Sequence, residues 1–266
     1  MSNTSKFQLN ENAAQLYEQH PVPNVVQPLA VLMLEQITLQ EGDRVLDAAC
    51  GTGIVTRLAV QAFPKLGSVV GSDLNENMLE LAEANSPVTE VPVTWQQGDL
   101  CKLPFADGQF DVALCQQGLQ FVPDKPAAFS ELQRVLTSGG RLAFSVWIHS
   151  PFHEALAEVL ERRVNADAAA ECLAPYALKD AVSVRALVEN AGFFEIEMSV
   201  LEIQIRIPPE DDWFFKMQLA RSPYSQEIAA DREAIEQKFH AALEAYRNNG
   251  VFVLPMTSHL VQARAT

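Results

Sequence analysis

Positive charge is scarce in this chain: 19 lysine and arginine residues stand against 34 aspartate and glutamate residues, a formal net charge of −15. That balance opposes binding to phosphate backbones, so no nucleic-acid partner is expected. The four cysteines, at positions 50, 101, 115 and 172, include no Cys-x-x-Cys pair, and no histidine-rich segment accompanies them. Neither a zinc site nor a disulfide framework is signalled, and no metal is expected. No uninterrupted apolar run approaches the ~20 residues that span a bilayer. The polar start, Met1 to Lys6, has no secretory h-region, so a cytoplasmic protein without a membrane span is expected.

Two further absences fall inside one loop. An apolar strand, Val45-Leu46, ends on Asp47 and turns through Ala48-Ala49-Cys50-Gly51-Thr52-Gly53 into a helix over about Ile54 to Phe63. Gly51 and Gly53 supply permissive dihedrals and bring backbone N–H groups and a helix N-terminus close to a ligand. No lysine lies between Asp47 and Pro64, which removes a phosphate-binding P-loop. A dinucleotide fingerprint needs a third glycine where this chain has Thr56, which weakens a nicotinamide-dependent oxidoreductase and keeps it as the alternative. Asp47 places an acceptor beside the positive rim, suited to a ligand with both an ammonium or hydroxyl group and an anionic one.

The same arrangement recurs downstream. Val69 to Asp73 reads as a second apolar strand ending in an acid, with Asn75 capping a helix over about Glu76 to Ala84. A carboxylate at that strand tip suits the two hydroxyls of a ribose. Val93 to Leu100 reads as a third strand ending in Gly98-Asp99-Leu100, placed to meet an adenine edge.

These motifs, with Phe110 to Cys115 followed by Gln116-Gln117-Gly118-Leu119-Gln120-Phe121, resemble the class I S-adenosylmethionine-dependent methyltransferases. Within these the chain is similar to the small-molecule branch that includes the ubiquinone and menaquinone biosynthesis methyltransferases, over about residues 10 to 150. The Asn/Asp-Pro-Pro-Tyr/Phe tetrapeptide of base-amine methyltransferases is missing. The resemblance implies S-adenosylmethionine as cofactor and assigns its site residue by residue. The backbone around Asp47, Ala49 and Gly51 would hold the methionine moiety, with Gly53 also in the cofactor-binding loop, Asp73 would hold the ribose, and Leu74 one face of the adenine. Asp99 and Leu100 would meet the adenine amine and edge, and Gln116 would lie near the sulfonium. Tyr17, in a leading helix, is expected to close on the methionine carboxylate. Ala49 stands where the family often has glycine; its methyl should narrow the approach without blocking it.

Alternation of strand and helix implies an α/β fold, a doubly wound, seven-stranded, mostly parallel sheet, which the resemblance implies is of Rossmann-like methyltransferase type. Asp124 should cap a helix to about Leu136; Gly139-Gly140 should break it before a fifth strand, Arg141 to Trp147. Ser183 should begin another helix that stops at Gly192-Phe193. Strands from about Glu195 to Ile207 and Phe252 to Ala263 complete the sheet, the last one antiparallel by resemblance. The expected organisation is an N-terminal helical and cofactor-binding core over 1–148, a helical insertion over 149–181, a return to the core over 182–207, a cap insertion over 208–250, and a last core strand over 251–266. The second insertion reads as two helices, near 211–221 and 226–248, rich in large apolar groups: Trp213, Phe214, Phe215, Met217 and Tyr224. Both insertions either roof the crevice beyond the strand tips, lining a pocket for an apolar or aromatic acceptor, or pack outside the sheet or form a homodimer contact.

The chemistry asks little of the protein. A sulfonium is an activated methyl donor, so in-line displacement needs alignment and exclusion of water. A hydroxyl or carbon acceptor also calls for a base, and among five histidines His20 and His149 stand nearest the expected crevice. The expected function is methyl transfer to a small-molecule acceptor. A cofactor-binding protein without turnover is the remaining alternative.

Overall fold

A computed structural model describes residues 10–266; the polar segment Met1–Lys6 lies outside the described residues. The sheet is built from β1 (Arg44–Ala48), β2 (Ser68–Asp73), β3 (Val93–Gln97), β4 (Phe110–Gln116), β5 (Leu136–His149), β6 (Phe194–Ile207), β7 (Arg247–Asn248) and β8 (Val251–Arg264). Their order is β3-β2-β1-β4-β5-β8-β6, with β7 pairing β8 off this path. β1 to β5 run parallel, and β8 inserts antiparallel between β5 and β6. The seven expected strands are therefore those of the path. The eighth, β7, has two residues and turns into β8 through Asn249-Gly250, both at positive φ (49° and 83°). Positive φ at both loop positions is what a tight two-residue hairpin requires.

The strands form where the sequence permits burial on both faces. Val45 to Ala48 of β1 are all buried, as expected for a parallel strand covered by helices on each side. Leu201, Ile203, Ile205 and Ile207 of β6 are buried while Glu202, Gln204 and Arg206 between them are exposed, the period-two pattern of a sheet with one wet face. Helices α1 (Glu11–Gln19), α2 (Gln27–Gln36), α3 (Ile54–Ala62), α4 (Glu76–Ala84), α5 (Lys125–Val135), α6 (Pro151–Arg163), α7 (Ala166–Leu173), α8 (Ala181–Asn190), α9 (Trp213–Arg221), α10 (Ser225–Ala230) and α11 (Arg232–Ala242) surround this sheet. Two apolar clusters result. One joins α2, α3 and the insertions; the other packs α5 and α8 beneath β4 and β5. Each fully buried leucine or phenylalanine in them contributes roughly 1.5–3 kcal/mol.

Several boundaries differ from the sequence reading for identifiable reasons. α8 begins at Ala181, two residues early, because Asp180 rather than Ser183 is the cap: its carboxylate accepts from the Ser183 N–H at 2.8 Å. β5 starts at Leu136, directly after α5, since Leu136 pairs with Phe110 before the ladder shifts register. The long helix expected over 226–248 is broken at Asp231, whose carboxylate pairs with Arg163 of α6 at 2.6 Å, and it ends well before the β7 hairpin.

The two insertions pack on each other. Phe152 of α6 meets Phe239 of α11 edge-on at 4.9 Å between ring centroids, and Phe214 of α9 packs against Phe152, His153 and Phe239. Trp213, Phe214 and Phe215 are thus core residues of the packed insertions, as an apolar helix face usually is. No helix among the described residues is long and apolar enough to cross a membrane.

Candidate functional site

The strand order reverses between β1 and β4, and a cavity of about 730 Å³ opens there beyond the carboxyl ends of the strands. Its floor is the loop after β1. Ala49, Gly51 and Gly53 all have positive φ (54°, 55° and 81°), so the chain turns sharply and α3 starts with its N-terminus toward the opening. Alanine in this region costs more than glycine would. Its methyl also fills space: a Cβ on Gly118 would come within 2.5 Å of the Ala49 Cβ.

Asp73 at the tip of β2 organises the floor. One carboxylate oxygen accepts from the Gly51 N–H at 2.8 Å and the other from the Asn75 N–H at 2.9 Å. Asn75 in turn caps α4, accepting from the N–H groups of Asn77 and Met78. Burial raises the Asp73 carboxyl above the ordinary range, opposed by these backbone donors. Asp99 lies in the turn after β3, which ends at Gln97, and its carboxylate accepts from Cys101 N–H at 2.9 Å. Asp73, Leu74, Asp99 and Leu100 all line the cavity.

Asp47 also lines it, 1% exposed, but its role is more internal than a surface acceptor. One oxygen accepts from both the N–H and the hydroxyl of Thr56, at 3.0 and 2.7 Å; the other, buried, has no partner among the described residues. Burial, only partly offset by the Thr56 bonds, pushes this carboxyl up to about 7. Thr56 occupies the place of the third glycine in a dinucleotide fingerprint, and its fully buried side chain is spent on Asp47.

Gln116 at the end of β4 donates from Nε2 to the Val26 carbonyl at 2.8 Å, which ties the short π-helix Val22–Val26 over the cavity and leaves Oε1 buried and unpaired. Above the floor, half-buried Tyr17 of α1 lines the cavity near Gly51. Burial raises its phenol, and the Asp73 charge adds to the effect. α1 is held over the site by Glu18, paired with Arg57 of α3 at 2.8 Å.

The remaining sequence candidates fall outside the lining. Gly53 shapes the turn without facing the cavity; a Cβ there would meet the Trp95 ring at 2.4 Å. His20 follows the last turn of α1, stacked on Trp213 with centroids 6.2 Å apart, and does not line the cavity. His149 sits at the end of β5, partly exposed, with its Nδ1 2.8 Å from a Glu154 carboxylate oxygen. Of the aromatic-rich second insertion only Met217 and Arg221 reach the cavity, together with Ala174 and Ala177 from the first insertion. Gln120, Phe121, Lys125 and Arg221 are lining residues that sequence reasoning did not assign. The Gln116 to Phe121 stretch carried a signal for two of them; nothing local marks Arg221.

Buried polar atoms without partners collect around the opening: Asp47 Oδ1, Thr52 Oγ1, Ser72 Oγ and Gln116 Oε1 all belong to lining residues. Such atoms are costly unless a ligand or water meets them, and their mix of acceptors and hydroxyls fits an amino-acid-bearing nucleoside.

Residues 46–144 match the family model of a methyltransferase domain. The chain is 38% identical over 147 residues to a 2-phytyl-1,4-naphtoquinone methyltransferase of Synechococcus elongatus, covering 53% of this chain and 63% of that protein. It is 37% identical over 108 residues to a demethylmenaquinone methyltransferase of Staphylococcus aureus, covering 41% and 44%. The chain thus spans less than two thirds of the length of these curated relatives. Among solved structures it is similar to the YcgJ protein of Bacillus subtilis, with a TM-score of 0.62 at 20% identity over 90% of this chain and 98% of that one. It is also similar to phosphoethanolamine N-methyltransferase 2 of Haemonchus contortus in complex with S-adenosyl-L-methionine, with a TM-score of 0.61 at 19% identity over 96% and 57%. At these identities the structural likeness is one of fold.

Proposed function

We propose, from the premise that this chain carries a class I S-adenosylmethionine-dependent methyltransferase domain, that it transfers a methyl group from S-adenosylmethionine to a small-molecule acceptor and releases S-adenosylhomocysteine. The observation that carries the reading is the set of three carboxylates, Asp47, Asp73 and Asp99, which stand at or just past the carboxyl ends of three parallel strands and line one cavity with Gly51. When bound, the cofactor supplies a methyl group already activated on sulfur, which is the hard part of the chemistry.

The chain's own residues then bind and align. Asp73, oriented by the Gly51 and Asn75 N–H groups, keeps lone pairs for two ribose hydroxyls. Leu74 would cover one face of the base, Leu100 would meet its edge, and Asp99 would accept from its amine. The Gln116 amide oxygen and Asp47 favour positive charge near sulfur and ammonium. Tyr17 and the π-helix close the site from above, which excludes water and holds the acceptor in line. Neither His20 nor His149 lines the cavity, so in this reading neither serves as base; an acceptor that arrives as a neutral amine or an ionised hydroxyl needs none.

The segments 149–181 and 208–250 act as a cap that selects the acceptor, and the apolar share of the lining suits a body of aromatic or aliphatic character. The net charge of −15 argues for a metabolite over a nucleic acid. Four free thiols suit a reducing, cytoplasmic compartment.

A labelled-methyl assay over fractionated metabolites tests it. Label should move to a small organic product with equimolar S-adenosylhomocysteine. Binding of the cofactor with no transfer to any fraction would instead favour a cofactor-binding protein without turnover.

A further inference from the structure

The cavity has a charge pattern that its cofactor end does not explain. Carboxylates stand at the strand tips and Asp124 beside α5, while two cations also line the cavity, Lys125 in the first turn of α5 and Arg221 in the last turn of α9, the latter from the second insertion. Lys125 Nζ donates to the Val122 carbonyl at 3.1 Å. Arg221 donates from Nε and Nη2 to a single oxygen, Gln218 Oε1, at 3.1 and 2.9 Å. Neither cation is ion-paired with a described carboxylate, and Arg221 Nη1 makes no hydrogen bond among the described residues.

Gln218 fixes this arrangement. It is 1% exposed and donates from Nε2 to Glu171 at 3.1 Å, so its amide can turn only oxygen toward Arg221. The guanidinium is therefore held in place by a neutral group and keeps its charge for something else. A planar, always-charged fork fixed in this way suits a carboxylate or phosphate. The Arg221 charge is felt inside the cap: after burial, it is the second cause holding His153 down at about 3.

A second observation points to a ligand at the same end. Gln120, 3% exposed, turns its Nε2 to Gln117 Oε1 at 2.9 Å and leaves its own Oε1 buried, unpaired and in a lining residue. The short helix that carries it, Leu119–Phe121, packs against Ala174–Tyr176, the segment whose Tyr176 feels the Arg221 charge. A cation and an orphaned acceptor thus line the same cavity.

Resting on the methyltransferase reading, we propose that Arg221 anchors an oxyanion, a carboxylate or phosphate, on the methyl acceptor. The acceptor is then a small acid with an apolar body beside Met217 and Phe121 and a hydroxyl or amine donor toward Gln120. The alternative is that Arg221 merely supports the C-terminal end of α9, where a cation is favourable.

Benzoate and its uncharged isostere benzamide separate the two. Each is titrated, by ligand-observed NMR, into protein saturated with S-adenosylhomocysteine. Benzoate should bind at least about tenfold tighter than benzamide, the worth of one hydrogen bond to a charged group. Arg221→Met should erase the difference and Arg221→Lys should keep part of it. Equal binding of the two probes, or an equal loss of both in Arg221→Met, overturns the assignment. Affinity for S-adenosylhomocysteine is read first, by titrating it into the same ligand-free proteins, so a failure of the methyltransferase reading shows as no cofactor binding by the wild-type protein, whatever the probes do.

Discussion

The Gly51 N–H donates to the Asp73 carboxylate at 2.8 Å, joining the glycine turn after β1 to the tip of β2 across 22 positions of sequence. The bond both shapes the turn and aims the carboxylate. Removing it in Asp73→Ala costs hydrogen bonds to a charged group at about 1.5–3 kcal/mol each, so affinity for S-adenosylmethionine should fall about 10- to 100-fold or more. Asp73→Asn, which keeps one acceptor oxygen, should fall between. Calorimetric titration reads this directly; an unchanged affinity in Asp73→Ala would refute the ribose assignment.

Asp47 gives a pH signature. Burial lifts its carboxyl from 3.8 to about 7, so the folded protein holds a proton that the unfolded chain releases at lower pH. The contribution of Asp47 to stability is therefore full below its unfolded value and is lost as pH rises toward about 7. A cationic ligand favours the ionised form, so cofactor binding should release a proton near neutrality and affinity should rise from about pH 5.5 to about pH 7. Calorimetry in buffers of different ionisation enthalpy counts that proton. It should vanish in Asp47→Asn; a proton release equal to wild type would show that another group is responsible.

Ala49 and Gly118 should behave as a coupled pair. A methyl on Gly118 would meet the Ala49 Cβ at 2.5 Å and Cys115 Sγ at 2.9 Å, so Gly118→Ala should destabilise by about 1–3 kcal/mol through overpacking. Ala49→Gly removes the first clash and relaxes a positive φ, so the double variant should recover part of the loss. Denaturant unfolding of all four proteins gives the coupling, and strict additivity would contradict the contact.

Gly53→Ala tests the turn from the other side. The added Cβ would sit 2.4 Å from the Trp95 ring at a φ of 81°, and Trp95 is held by its indole N–H on the Ser86 hydroxyl at 2.6 Å. Overpacking and backbone strain together should lower stability by about 2–4 kcal/mol. A change below about 0.5 kcal/mol would mean that Trp95 swings away freely.

Much of this was legible in the sequence because the signals are local. An apolar run ending in Asp47, a second ending in Asp73 and the Asn75 cap each lie within one strand-turn-helix unit, and strand tips in a parallel sheet converge without further information. Asn249-Gly250 is also a local signal, for the hairpin at β7, and it is incompatible with a helix running to Asn248. The histidines were not legible in this way. His20 is drawn to Trp213, nearly two hundred positions away, and His149 to the exposed Glu154, so nearness to a crevice in sequence did not become nearness in space. Arg221 had no local mark at all, because its meaning depends on Gln218 being held by Glu171 from another insertion.

The central claim is that the cavity is built for S-adenosylmethionine. Titrating the purified protein with S-adenosylmethionine and, separately, with a nicotinamide dinucleotide tests it most directly. The structure predicts saturable one-to-one binding of the first and at least about a hundredfold weaker binding of the second, a gap of about 2.7 kcal/mol. Tighter binding of the dinucleotide, or no binding of S-adenosylmethionine, would contradict it.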